Sequence, residues 1–101
     1  MEKKLEKTYD ELSNFINGVS IPQNIYVYAG INEGENTVSV IISSIYGGKS
    51  GRKQLVSDNA MHLFMEEVQP QITKILSKTA KLVKKCKSGA TGEFILQYRL
   101  F

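Results

Sequence analysis

One apolar stripe constrains this chain more than any other feature. Met61, Phe64, Met65, Val68, Ile72, Ile75, Leu76, Thr79, Leu82, Val83 and Cys86 recur at three- and four-residue steps, the spacing of a helix that buries one face. Lys74, Lys78, Lys81 and Lys85 keep the same period on the opposite side. The spacing predicts a long helix from Met61 to Cys86, with Ser57, Asp58 and Asn59 ahead of it as good N-cap residues. Pro70 falls on the lysine side, where a proline bends a helix while its apolar phase persists. One kinked helix is therefore expected, broken at Ser88–Gly92.

The first half reads differently. Leu5, Tyr9, Leu12, Phe15, Ile16 and Val19 are helically spaced, and Asn17-Gly18 offers a left-handed stop. β-rich residues follow from Asn24 to Ile31 and from Thr37 to Tyr46, joined by the polar run Asn32-Glu33-Gly34-Glu35-Asn36, which predicts a hairpin. Residues 46–53 read as a flexible basic loop, with room for a further short strand at Gln54-Leu55-Val56. Glu93 to Phe101 reads as the last strand. The order α-β-β-α-β is that of an α+β fold: a three-stranded antiparallel sheet, four-stranded if the short strand joins, with both helices on one face.

A length of 101 residues makes one small domain. With 42% hydrophobic and 23% charged residues it has the composition of a folded chain. The net charge of +3 is mild for a protein that coats DNA. The charged start, Met1 to Lys7, is followed by no apolar signal region, and no run approaches the roughly 18 apolar residues of a membrane span. The expected compartment is the cytosol, with no membrane partner.

Catalytic and cofactor chemistry is not indicated. Gly47-Gly48-Lys49-Ser50 resembles the core of a phosphate-binding loop, but the glycine required four residues earlier is Ser43 and no helix starts directly after it. His62 is the only histidine, flanked by Asp58 and Glu66, and reads as a surface residue. Cys86 is the only cysteine and reads as a small hydrophobe on the stripe. One histidine and one cysteine do not make a metal site. No cofactor, metal or catalytic residue is assigned.

The strands point to binding instead. If the helices cover one sheet face, strand alternation leaves Tyr26, Tyr28, Ile41, Ile45, Ile95 and Phe101 on the other, with Arg99 among them. Soluble monomers seldom leave such contiguous apolar surface bare, and tyrosine with aliphatic side chains and arginine is typical of a protein interface. Tyr26, Tyr28, Ile41, Ile45 and Arg99 are the expected contact, with Lys49, Arg52 and Lys53 steering the approach. The lysine row Lys74, Lys78, Lys81 and Lys85 is first a solvated helix face. Its functional alternatives are an acidic protein partner or a nucleic-acid backbone, the latter without aromatics for stacking.

Tyr9, Ile16, Ile21, Pro22 and Ala29, in an order of helix, aromatic strand, hairpin and long helix, resemble the YezG-type immunity proteins that accompany secreted LXG-type toxins of Gram-positive bacteria. That resemblance implies a small cytosolic protein that binds and silences a toxin domain. The family tends to be acidic and carries tryptophans, whereas this chain is basic and has none, so no family site residues carry over. The expectation is a non-enzymatic inhibitor of a toxin or host factor, immunity-like, antitoxin-like or encoded by a phage. The alternatives are a nucleic-acid-binding accessory protein and an adaptor or chaperone that dimerises through its sheet.

Overall fold

The computed structural model describes residues 3–48, 51–54, 56–88 and 92–101, with only the backbone described at 45–48 and 51–54. Two helices and six strands follow in the order α1 (Lys3–Gly18), β1 (Tyr26–Asn32), β2 (Thr37–Ser43), β3 (Ile45–Gly48), β4 (Gly51–Gln54), α2 (Asp58–Leu76), β5 (Ala80–Lys87) and β6 (Phe94–Leu100). The main sheet is antiparallel and four-stranded, ordered β1-β2-β6-β5, and β3 and β4 form a separate two-stranded ribbon. The fold is α+β, as expected, but the order and the source of the fourth strand differ.

The largest correction concerns the stripe. The helix stops at Leu76, and residues 80–87 form an edge strand. A helix from Asp58 to Cys86 would run about 43 Å, beyond the 41 Å long axis of the whole domain and far past strands of about 24 Å. Stopping at Leu76 leaves about 28 Å, which suits the sheet beneath it. Ser77 caps the end, its N–H donating to the Lys74 carbonyl, and Thr79 N–H bonds the Leu76 carbonyl. The chain then pairs with β6, placing Ala80 and Leu82 opposite Leu100 and Tyr98. A short run such as Lys-Leu-Val-Lys-Lys-Cys-Lys fits either period, and the unfilled edge of β6 decides in favour of a strand.

Other elements form for local reasons. Ser57 is the N-cap of α2, its Oγ accepting the Ala60 N–H at 3.2 Å. The helix runs through Pro70, whose exposed position spares the core, with Val68 and Ile72 buried on either side. Helix α1 extends through Gly18, and the left-handed backbone expected there occurs at Asn24 and Asn36 instead. Asn36 (φ 57°) closes the β1–β2 turn, where Asn32 Oδ1 accepts the Glu35 N–H. Gly92 (φ 75°) closes the β5–β6 turn, which Ser88 and Glu93 bridge through a 2.8 Å backbone bond. Ser44 breaks the long strand expected from Thr37 to Tyr46. Its buried hydroxyl lies 3.2 Å from the Val56 carbonyl and 3.0 Å from Met61 Sδ. Residues 46–48 and 51–53, expected in an open loop, are paired strand, and the short strand ends at Gln54 rather than beginning there; Lys49 and Ser50 lie outside the described residues.

The result is two α-β-β units joined through their second strands, β2 and β6. Both helices lie on one sheet face. Leu5 and Leu12 of α1 and Met61, Met65, Val68, Ile72 and Leu76 of α2 close over Val38, Val40, Ile42, Leu96 and Tyr98. Tyr98 is fully buried, and its hydroxyl lies 2.9 Å from Thr73 Oγ1, which accepts the Gln69 amide at 2.7 Å. Burial outweighs these hydrogen bonds and raises the Tyr98 phenol above its ordinary range. That triad ties α2 to the centre of the sheet, and among the described residues no buried side-chain polar atom lacks a partner.

Candidate functional site: the open face of the sheet

The pairing registers define what the helices leave uncovered. Paired residues in an antiparallel sheet point to the same side, so each register line extends into a row across strands. One row runs Tyr28, Ile41, Ile95 and Cys86, crossing all four strands from edge to edge. The next runs Gly30, Ser39, Gln97 and Lys84, and the third Asn32, Thr37, Arg99 and Lys81. Tyr26, paired with Ser43, stands beyond the first row. An apolar row therefore lies toward one end of the open face and cations toward the other.

Tyr26 and Tyr28 are 41% and 53% exposed, while Ile41 and Ile95 are half-buried by their neighbours on a continuous sheet surface. Arg99, Lys81 and Lys84 are exposed. Gln97 reaches across to Thr37 Oγ1 at 3.5 Å and helps bury it. Phe101, directly after β6, is also largely exposed.

Of the expected contact residues, the structure brings Tyr26, Tyr28, Ile41 and Arg99 onto this one face. Ile45 is separated from them: Ser44 ends β2, and Ile45 belongs to β3, paired with Gln54. Arg52 and Lys53 lie on β4, opposite Gly47 and Tyr46, with only their backbone described. Lys49 lies outside the described residues. Gly47 and Gly48 thus end a strand of an antiparallel ribbon, and α2 begins only at Asp58.

The lysine row does not survive as one face. Lys74 is in the last turn of α2, Lys78 follows its cap, and Lys81 and Lys85 lie on β5. A bulge between Leu82 and Lys84 shifts the strand by one residue. Lys81 and Lys84 therefore face the open side, whereas Lys85 and Lys87 turn toward α2. There Lys85 meets Glu66 at 2.6 Å and Lys87 pairs with Asp58. The Lys85 ammonium holds the Glu66 carboxyl below its usual range, helped by His62 at 3.7 Å. Lys84, Ile95 and Cys86 complete the face. Lys84 and Cys86 were hidden because their segment kept a helical period.

Two clefts flank the sheet. One of about 230 Å³ lies between α1 and β1, lined by Tyr9, Ser13, Ile16, Asn17, Val27, Tyr28 and Ala29. The other, about 210 Å³, lies between α2 and β5, where His62 rests on the Phe94 ring with centroids 6.1 Å apart. Cys86, a free thiol, borders it. His62 and Cys86 share the lining of the second cleft, but no hydrogen bond joins the thiol to the imidazole, and among the described residues no three potential metal ligands cluster. No helix among those residues is long and apolar enough to cross a membrane. No family model, curated protein or solved structure matches the chain, so the functional reading rests on this geometry.

Proposed function

We propose that this protein is a small non-enzymatic inhibitor, immunity-like, antitoxin-like or phage-encoded, that works in the cytosol by docking its open sheet face on one protein target. The observation that carries the proposal is the uncovered row Tyr28-Ile41-Ile95-Cys86 with Tyr26 beside it. An apolar centre with polar and cationic surroundings has the anatomy of a protein interface, and rigid tyrosines are frequent anchors of such interfaces. The resemblance of Tyr9, Ile16, Ile21, Pro22 and Ala29 to YezG-type immunity proteins points to the same kind of role.

The test is affinity capture from the native host with wild type and with Tyr26→Ser/Tyr28→Ser, both exposed positions whose loss spares the core. The expected result is a specific protein retained by wild type and lost, through faster dissociation, by the variant. Equal retention by both proteins refutes the placement.

Self-association is the second reading, favoured by a specific contrast between the sheet's two edges. β5 carries Lys81, Lys84, Lys85 and Lys87, the charges that protect an edge strand from pairing. β1 carries no charge from Tyr26 to Asn32. A two-fold pairing of β1 with its copy about Ala29 would set Tyr28 against Gly30. Light scattering separates this adaptor-like dimer from a monomeric inhibitor. Nucleic-acid binding is the less favoured reading, because Lys74, Lys78, Lys81 and Lys85 lie on α2, the turn after it and β5 rather than in one row on a helix.

A further inference from the structure

We propose that the target presents an acidic protein segment to the Lys81–Lys84–Arg99 end of the open face. This rests on the docking reading above and adds the chemistry of what docks. The cations of β5 divide by strand face. Lys85 and Lys87, on the helix side, are neutralised by Glu66 and Asp58. Among the described residues, Lys81 and Lys84, on the open side, have no carboxylate partner, nor has Arg99. Not one open-face position in the four strands is Asp or Glu. The acidic residues nearest in topology, Glu33 and Glu35, sit exposed in the β1–β2 turn without an ion pair to Arg99.

Lys81 stands directly opposite Arg99 in the ladder. Two like charges facing each other across strands oppose folding, and a carboxylate placed between them offsets that repulsion with two attractions. Lys84 lies on the adjacent row, about 7 Å along the strand, so two or three acidic groups on one segment can reach all three cations. Aliphatic or aromatic residues beside those groups would meet Ile95 and Ile41. Complementary charge of this kind sets orientation and association rate, while the apolar row supplies the slow step of release.

A polyanionic nucleic acid is the less favoured occupant. The exposed tyrosines are on β1 and the lysines on β5, three strand spacings or about 14 Å away, so stacking and phosphate contacts would not alternate along one strand of nucleic acid.

The experiment selects a phage-displayed random dodecamer library against the full chain. The enriched peptides are then synthesised and titrated by fluorescence anisotropy against wild type, Lys84→Gln/Arg99→Gln, Lys84→Glu/Arg99→Glu, Tyr28→Ser and the off-face control Lys74→Glu. The expected peptides carry at least two Asp or Glu beside aliphatic or aromatic residues. Their binding weakens about tenfold or more on charge reversal, less on neutralisation and with added salt, and is unchanged in the control. Uncharged peptides that are lost with Tyr28→Ser but indifferent to the charge variants overturn the acidic assignment and leave the docking reading standing. No enrichment, or peptides insensitive to every face variant, overturns both. Tighter binding of a 15-mer oligodeoxythymidine than of any peptide replaces the acidic protein by single-stranded nucleic acid.

Discussion

Val40 and Ile41 are neighbours on β2, and truncating each to alanine separates the two faces of the sheet energetically. Val40 is fully buried beneath the helices, and Ile41 is half-buried on the open side. Val40→Ala removes two methylene equivalents at about 0.8 kcal/mol each. A residual cavity of about 40 Å³ adds about 1 kcal/mol at 24 cal/mol per Å³. The total is about 2.5 kcal/mol. Ile41→Ala removes more carbon, three equivalents, but roughly half of that surface already meets water and solvent fills the space, leaving about 1 kcal/mol.

The larger chemical deletion therefore has the smaller effect, an inversion that only the face assignment produces. Equilibrium urea unfolding of both variants measures it, with Tm as a second readout at about 4–8 °C per kcal/mol for a domain of this size. An Ile41→Ala variant destabilised as much as Val40→Ala would refute the reasoning, because it would mean that the open face is covered within the folded chain.

Three further outcomes follow from the same structure. Tyr98→Phe deletes the hydroxyl paired with Thr73 while Gln69 still satisfies that threonine, so urea unfolding should show a loss of about 1 kcal/mol. Pro70→Ala restores an N–H that can donate to the Glu66 carbonyl and a better helix former at an exposed site. The variant should be more stable by about 1–3 kcal/mol, seen as a higher Tm. Stability should also fall at both extremes of pH. Glu66 has a lowered pKa in the fold, so its contribution is complete above the ordinary value of 4.5 and is lost as pH drops through the folded value. Tyr98 has a raised pKa, so its contribution holds below 10.0 and is lost as pH climbs toward the folded value. Urea midpoints across pH, compared with Glu66→Gln and Tyr98→Phe, check both limbs.

The parts of this fold that were legible from the residues are those fixed by local chemistry. The first helix, the β1–β2 hairpin and a cap among Ser57, Asp58 and Asn59 follow from periodicity, turn composition and side-chain capping, and the structure selects Ser57. The alternation in β1, β2 and β6 placed Tyr26, Tyr28, Ile41 and Arg99 on one side, and the registers agree. What escaped depended on tertiary competition. Thr79, Leu82, Val83 and Cys86 continue a helical phase, yet the open edge of β6 takes that segment as a strand, and a bulge after Leu82 then reassigns its lysines. The β3–β4 ribbon and the break at Ser44 were hidden for a similar reason. Glycine and lysine carry little strand preference, and Ser44 is fixed by a hydroxyl reaching Val56 and Met61 from across the chain.

Selective labelling of isoleucine δ1-methyls, followed by relaxation with a soluble gadolinium chelate, most directly tests whether the helices shelter only one side of the sheet. Ile41 and Ile95 should relax several times faster than the fully buried Ile42 and Ile72 in the free protein. Equal protection of all four methyls in the monomer would contradict the account.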